Sequence, residues 1–81
     1  MTVSNLAPEG RVLWCLRRRR SDVSCVLRAN TIRIEVQVLQ DREVVLTELF
    51  PEEQLALAWA DRYERRLRDI GWQDSPASRA S

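Results

Sequence analysis

The sequence has no lysine and no histidine, and its 81 residues include only two glycines and two cysteines. Without histidine it lacks the commonest general base at neutral pH and the usual nitrogen ligand of metal sites. Gly10 and Gly71 cannot form a glycine-rich phosphate loop. Two cysteines cannot complete the tetrahedral ligand set of a structural zinc ion. These absences predict a protein that is not an enzyme, with no catalytic residues, no metal site and no cofactor.

Long apolar stretches are also missing, since none approaches the roughly 18 residues that cross a bilayer. Residues 1–10 do not have the basic and then apolar segments of a secretory signal. We therefore expect a cytoplasmic protein without membrane contact, whose thiols stay reduced. The composition, 44% hydrophobic and 31% charged, is that of a globular domain. Thirteen arginines against twelve acids leave a net charge of +1, well short of a typical nucleic-acid-binding domain.

Four segments in the first fifty residues have the pattern of β-strands. Residues 12–16 form a short apolar run, residues 22–29 and 32–38 alternate apolar and polar side chains, and residues 44–50 follow after a turn. In the last segment we expect Phe50 to face the core, because its ring offers the largest burial. That phase also turns Val44 and Leu46 inward, with Glu48 as a misfit.

The first two strands are expected to form a hairpin, and its turn decides which side chains meet. A turn centred on Arg20 places Cys15 opposite Cys25. An intrachain disulfide would then be possible after some tightening of the strands. In a reducing compartment, however, a pair of buried, reduced thiols is the expected state, with a redox sensor as a weaker alternative.

A helix is predicted after the fourth strand, with Pro51 at its first position and Glu52 and Glu53 in its positive first turn. Gly71 is placed to end it in a left-handed conformation, so that Trp72 folds back on Leu67. Its apolar arc, which must cover a sheet, contains Leu55, Ala56, Trp59, Ala60, Tyr63, Leu67 and Ile70. Its other side is predicted to be a solvated, salt-bridged face with the i,i+4 pairs Asp61–Arg65, Glu64–Arg68 and Arg65–Asp69, and it also carries Arg62 and Arg66.

These elements predict an α+β fold, ββββα, in which a four-stranded antiparallel meander carries one C-terminal helix across one face. Residues 10–72 form the single domain, and residues 1–9 and 73–81 are flexible tails. One helix can cover only one side of a sheet, and a core of this size is marginal alone. We therefore expect a homodimer, formed through the open sheet face or by pairing of edge strands. Its predicted face consists of Val12, Trp14, Leu16, Val26, Leu39 and either Val45 or Leu49.

Four consecutive arginines are the most conspicuous candidate for binding. Arg17, Arg18, Arg19 and Arg20 lie at the hairpin turn and, together with Arg28 or Arg33, could neutralise the phosphates of a single-stranded nucleic acid. Exposed Trp14 and Tyr63 would supply stacking rings. A solvated hairpin tip that discourages aggregation explains the same run, and we favour it.

The C-terminal half resembles a group of small uncharacterised bacterial proteins. Its marks are Leu46 and Phe50 before the helix, the Ala-Leu-Ala-Trp-Ala run of residues 56–60 inside it, and Gly71-Trp72 at its end. The resemblance covers residues 14–72 and implies a strand-rich half followed by a helix, with no activity attached. The order of four strands and a helix is also similar to that of Whirly-type and related coactivator-type single-stranded DNA binders, which dimerise.

We therefore expect a non-catalytic protein-interaction or accessory module that acts as a homodimer with an unidentified protein partner. The alternative is a single-stranded nucleic-acid-binding protein that uses the arginine run.

Overall fold

The computed structural model of the chain describes residues 10–29 and 32–75. It contains an antiparallel sheet and one helix, which confirms the predicted α+β class and the ββββα order. A short fifth strand is added, and the strand order is β4-β3-β2-β1-β5. The elements are β1 (Gly10–Arg18), β2 (Ser21–Ala29), β3 (Ile34–Gln40), β4 (Glu43–Phe50), α1 (Glu53–Asp69) and β5 (Gln73–Asp74).

The core lies between α1 and one face of the sheet. Two small residues of the helix, Ala56 and Ala60, are buried there and let the helix backbone approach the strands closely. The sheet contributes Trp14, Leu16, Val23, Cys25, Leu27, Val36 and Val38. Leu46 and Phe50 of β4 pack against this cluster, as the expected phase of that strand requires.

Trp14 connects β1 to the helix. Its indole N–H donates a hydrogen bond of 3.1 Å to the backbone carbonyl of Ala60, and its ring stacks on Tyr63 with centroids 6.1 Å apart. Tyr63 also contacts Trp59, which in turn contacts Phe50 of β4. The four rings form a row that spans the helix-facing side of the sheet from β1 to β4. A buried indole needs a hydrogen-bond acceptor, and the helix carbonyl provides one.

The β1–β2 hairpin has a register one residue away from the predicted one. Arg18 pairs with Ser21, so the turn consists of Arg19 and Arg20 only, with Arg19 at φ 58°. Positive φ at the first turn residue suits a two-residue hairpin loop. Because side chains alternate between faces, a slip of one residue exchanges the two faces of a strand.

This register corrects two predictions. Cys25 is opposite Trp14, while Cys15 is opposite Ser24, so the two thiols lie on opposite faces of the sheet and cannot form the disulfide considered above. Trp14 and Leu16, which we assigned to the dimer face, lie in the core at 7% and 0% exposure.

The sheet has two β-bulges. In β1 the register shifts between Val12 and Trp14, so that Leu13 is the extra residue and Val12 pairs with Val26. In β4, Val45 is the extra residue, because Val38 pairs with Leu46 while Leu39 pairs with Val44. Each bulge reverses the alternation of the residues beyond it.

The bulge in β4 makes the prediction for Val44 wrong. The strand alternates as expected from Phe50 to Leu46, but beyond Val45 the next side chain shares the face of Leu39, away from the helix. The bulge in β1 moves Arg11 the other way, from the open side of the sheet to the helix side. Paired with Leu27 on the helix side, Arg11 donates a hydrogen bond of 3.2 Å to Glu53.

The helix begins later than the sequence suggests and ends where it suggests. Glu52 is the N-cap and makes no side-chain cap, so Pro51 precedes the helix. At the other end Gly71 has φ 109°, its N–H donates to Arg68 O at 3.1 Å, and the N–H of Trp72 donates to Leu67 O at 3.0 Å. This is a Schellman motif, and Trp72 packs against the core as predicted.

The outer members of the predicted apolar arc are not covered. Leu55 and Ile70 are exposed, because they flank the line along which the helix meets the sheet. Two of the three predicted ion pairs form, Asp61–Arg65 at 3.1 Å and Glu64–Arg68 at 2.8 Å.

Residues 73–75, which we assigned to a C-terminal tail, are part of the fold. Gln73 and Asp74 form β5, in which they pair with Arg17 and Leu16, and the N–H of Ser75 donates to Cys15 O at 3.1 Å. The glycine turn directs the chain back to the outer edge of β1, where unpaired backbone groups accept it. The other residues predicted to be tails, 1–9 and 76–81, lie outside the described residues.

Replacing Gly71 by alanine tests the helix end. Its φ of 109° is strained for any L side chain. We expect G71A to lower the free energy of unfolding by about 1–2 kcal/mol. Urea denaturation followed by circular dichroism measures this change, and an unchanged midpoint would contradict the account of the helix end.

Candidate functional site

The sheet face opposite the helix, the open face, has an apolar band that crosses four strands diagonally. The band consists of Val12 on β1, Val26 on β2, Leu39 on β3 and Val44 on β4. Val12 is opposite Val26, and Leu39 is opposite Val44, so the band consists of two cross-strand pairs. The pairs are diagonal to each other across β2 and β3, where Val26 is opposite Gln37 and Leu39 is opposite Ser24. Directly opposed side chains on one face touch, and diagonal neighbours remain within reach of larger side chains.

Both ends of the band depend on the bulges. With regular alternation from the core residues Trp14 and Leu46, Val12 and Val44 would face the helix. The bulges at Leu13 and Val45 turn them to the open face, where they are 61% and 50% exposed. The fold therefore moves two apolar residues out of the core side and onto a surface, at a cost in burial.

Polar groups with partners lie on both sides of the band. Toward the hairpin tip, Arg17 forms hydrogen bonds of 2.9 and 3.2 Å with Asp22. This hydrogen bonding is the main reason that the pKa of Asp22 is lower than usual. It also raises the pKa of Arg17 above its usual value. At the other end, Arg28 donates a hydrogen bond of 3.1 Å to Gln37. The band is thus an apolar strip between polar groups that already have partners.

A cavity of about 470 Å³ adjoins the band near the hairpin tip, lined by Cys15, Asp22, Ser24, Leu39, Asp41 and Arg42. Burial, and then the negative charge of Asp22, raises the pKa of the Cys15 thiol, while a hydrogen bond with Ser75 opposes this shift. Burial in the core raises the pKa of Cys25 to about 12. Both thiols are therefore protonated at neutral pH, the opposite of an activated nucleophile.

The arginines of the nucleic-acid hypothesis are not gathered in one place. Arg17 is paired with Asp22, while Arg18, Arg19 and Arg20 are exposed around the tip of the β1–β2 hairpin. Arg28 lies at the far end of β2, about 25 Å from the tip at 3.3 Å per residue. Arg33 precedes β3 at that same far end and lines a cavity with Leu49 and Phe50. The two groups do not form one continuous basic surface.

Three of the proposed dimer-face residues, Val12, Val26 and Leu39, lie on the open face. Of the two alternatives on β4, Leu49 is opposite Glu35 on the same face, while Val45 is the exposed bulge residue. Sequence reasoning missed Val44, because period-two alternation cannot show where an extra residue enters a strand.

Two further observations concern the described residues, and one concerns the comparison of the chain with known proteins. Within residues 10–29 and 32–75, no group of three or more Cys, Asp or Glu side chains could hold a metal ion. No helix of these segments is long and apolar enough to cross a membrane. Comparison with protein-family models, with curated proteins and with solved structures finds no match to the chain.

The separation of the thiols gives a direct test of the register. In the native protein we expect a thiol reagent at about pH 8 to label Cys15 slowly and leave Cys25 unlabelled, whereas both react in denaturant. Mass spectrometry after mild oxidation should find no intrachain disulfide. A disulfide within one chain would contradict the register that the two-residue turn sets.

Proposed function

We propose that this protein is a non-catalytic protein-interaction module that acts as a homodimer, with the apolar bands of two open faces packed on each other. One observation carries the proposal: bulges in β1 and β4 transfer Val12 and Val44 from the helix side to the open face. Bulges re-aim side chains at functional surfaces. A second copy suits the band, because a two-fold axis brings the same strip from each protomer into contact.

Edge-to-edge pairing explains the structure less well than face-to-face packing. The outer edge of β1 is paired with β5 at Leu16 and Arg17, and the bulge at Leu13 interrupts the remainder. The outer edge of β4 is interrupted at Val45 and carries the acids Glu43 and Glu48. Bulges and charges are the means by which natural sheets resist pairing of their edges. On the open face the charges of Arg17, Asp22 and Arg28 already have partners, and the apolar band lies between them.

The size of the face predicts the strength of the dimer. Four strands spaced at about 4.8 Å, each about 25 Å long, give a surface of roughly 15 by 25 Å. This geometric area, roughly 375 Å², is about half of the 800 Å² per partner that a standard specific interface buries, and it falls in the range of weak, transient contacts. We therefore expect a dissociation constant in the micromolar range, so that dimer and monomer exchange. Cytoplasmic location and the absence of catalysis belong to the same proposal.

Sedimentation velocity of the full chain over a concentration series tests the dimer. We expect a shift from monomer to dimer across the micromolar range. V44E, at an exposed edge-strand position of the band, should weaken the association by at least about tenfold, because it places a charge in an apolar interface. The control L57E introduces the same charge at an exposed position on α1 and should leave the dimer unchanged.

Circular dichroism of both variants checks that they fold. A chain that stays monomeric at about 200 µM, more than tenfold above a micromolar dissociation constant, would refute the dimer. Equal effects of V44E and L57E would refute the open face as its interface.

A further inference from the structure

Two adjoining cavities on α1 form one groove, here called the helix groove. The larger, about 450 Å³, is lined by Tyr63, Arg66, Leu67, Asp69 and Ile70. The smaller, about 120 Å³, is lined by Trp59, Arg62, Tyr63 and Arg66. Tyr63 and Arg66 line both, so the two cavities are neighbours along one side of the helix. The groove lies on the other layer of the molecule from the open face and plays no part in the proposed dimer.

The groove contains two cations that the rest of the helix does not neutralise. Arg65 is paired with Asp61, and Arg68 with Glu64 and Asp74. Arg62 and Arg66 are one helical turn apart, and neither makes an ion pair or a side-chain hydrogen bond within the part of the chain that the structure describes.

Like charges at i,i+4 destabilise a helix. Arg66 lies in the last turn of α1, where a cation interacts favourably with the helix dipole, but Arg62 lies outside that turn and gains nothing from it. An external anion held between the two guanidinium groups would explain the pair as a whole. Planar guanidinium groups suit carboxylates in particular, since they can donate two parallel hydrogen bonds.

The floor of the larger cavity is apolar. Ile70 is 57% exposed there, and Leu67 and Tyr63 are half-buried beside it. The groove thus joins a cationic end, at Arg62 and Arg66, to an apolar surface. A ligand that matches both parts has a carboxylate next to an aliphatic or aromatic group.

The rings argue for a peptide rather than a single-stranded nucleic acid. Tyr63 is stacked on Trp14 at an interplanar angle of 17° and contacts Trp59 at a centroid distance of 5.1 Å, so its ring is held in the aromatic row rather than free to stack on a base. Bases need free ring faces for stacking. The carboxylate of Asp69 also lines the larger cavity, where it repels a continuous chain of phosphates but tolerates one carboxylate at the opposite end.

We propose that the helix groove binds an acidic peptide segment of a protein partner. A Glu or Asp side chain of the peptide lies between Arg62 and Arg66, and a neighbouring apolar side chain packs on Leu67 and Ile70. This inference rests on the proposed function as an interaction module and names the chemistry of its partner. It does not require the homodimer.

Fluorescence anisotropy with the full chain tests the groove. The probe is a fluorescein-labelled peptide of about twelve residues that alternates pairs of glutamate with leucine, and its control has glutamine in place of every glutamate. In about 50 mM salt we expect saturable binding of the acidic peptide, at least about tenfold tighter than that of the control.

Adjacent arginines provide matched variants. R66Q should weaken binding by about tenfold, whereas R65Q, whose parent side chain is paired with Asp61 outside the groove, should change it less than about twofold. D69N should strengthen binding, because it removes the repelling carboxylate. Thermal unfolding of R66Q should be no less cooperative than that of the wild type and its midpoint no lower, which separates a binding role from a structural one.

Several results would overturn the inference. These are no binding of the acidic peptide, equal binding of the glutamine peptide, equal losses in R65Q and R66Q, or binding of an oligothymidylate in place of the peptide. V44E keeps the test separate from the dimer, since a monomeric V44E should still bind the peptide. Peptide binding without any dimer would refute the proposed homodimer alone, and a dimer without peptide binding would refute the groove alone.

Discussion

The two-residue turn at Arg19 and Arg20 is the constraint on which the rest of the structure depends. By pairing Arg18 with Ser21 it fixes which side chains of β1 face the helix. Trp14 and Leu16 then enter the core, and Cys15 is left on the other face. A turn with one more or one fewer residue would put Cys15 under the helix and remove the indole that binds the carbonyl of Ala60. Hairpin length therefore determines how the sheet meets the helix.

The two bulges lower the apolar burial of the core and increase the apolar area of the open face. A small domain needs most of its apolar residues for its core, yet this one exposes Val12 on β1 and Val44 on β4. The same bulges interrupt the ladders of β1 and β4, which protects the sheet from edge pairing, and they align an apolar band on the open face. Arg11 gains its contact with Glu53 from the same irregularity. The bulge in β1 thus affects the strand itself, the open face at Val12 and the start of α1 at Glu53.

The arginines of α1 fall into two groups, paired and unpaired within the described part of the chain, which the sequence does not distinguish. Its outer surface reads as an evenly neutralised, solvated face, but the acids at Asp61 and Glu64 reach only Arg65 and Arg68. Arg62 and Arg66 project beside the aromatic row instead. Each of the four rings packs on its neighbour, from Trp14 on β1 through Tyr63 and Trp59 to Phe50 on β4. These contacts hold the rings in the core. The helix consequently presents one salt-bridged side and one cationic side.

The sequence by itself determined the element types and their order, the α+β class, the inward faces of β2 and β3, and the glycine-ended helix. These follow from local periodicity and from the backbone preference of Gly71, which operate over a few residues. Only the tertiary structure decided the hairpin register, the bulges, the fifth strand and the ion pairs between elements, Arg11–Glu53 and Arg68–Asp74. Each of those depends on which distant backbone groups or charges meet, and an extra residue at Leu13 or Val45 leaves no mark on hydrophobic alternation. For that reason the sequence predicted an apolar open face but assigned Trp14 and Leu16 to it wrongly, and it did not separate Arg62 and Arg66 from their neutralised neighbours.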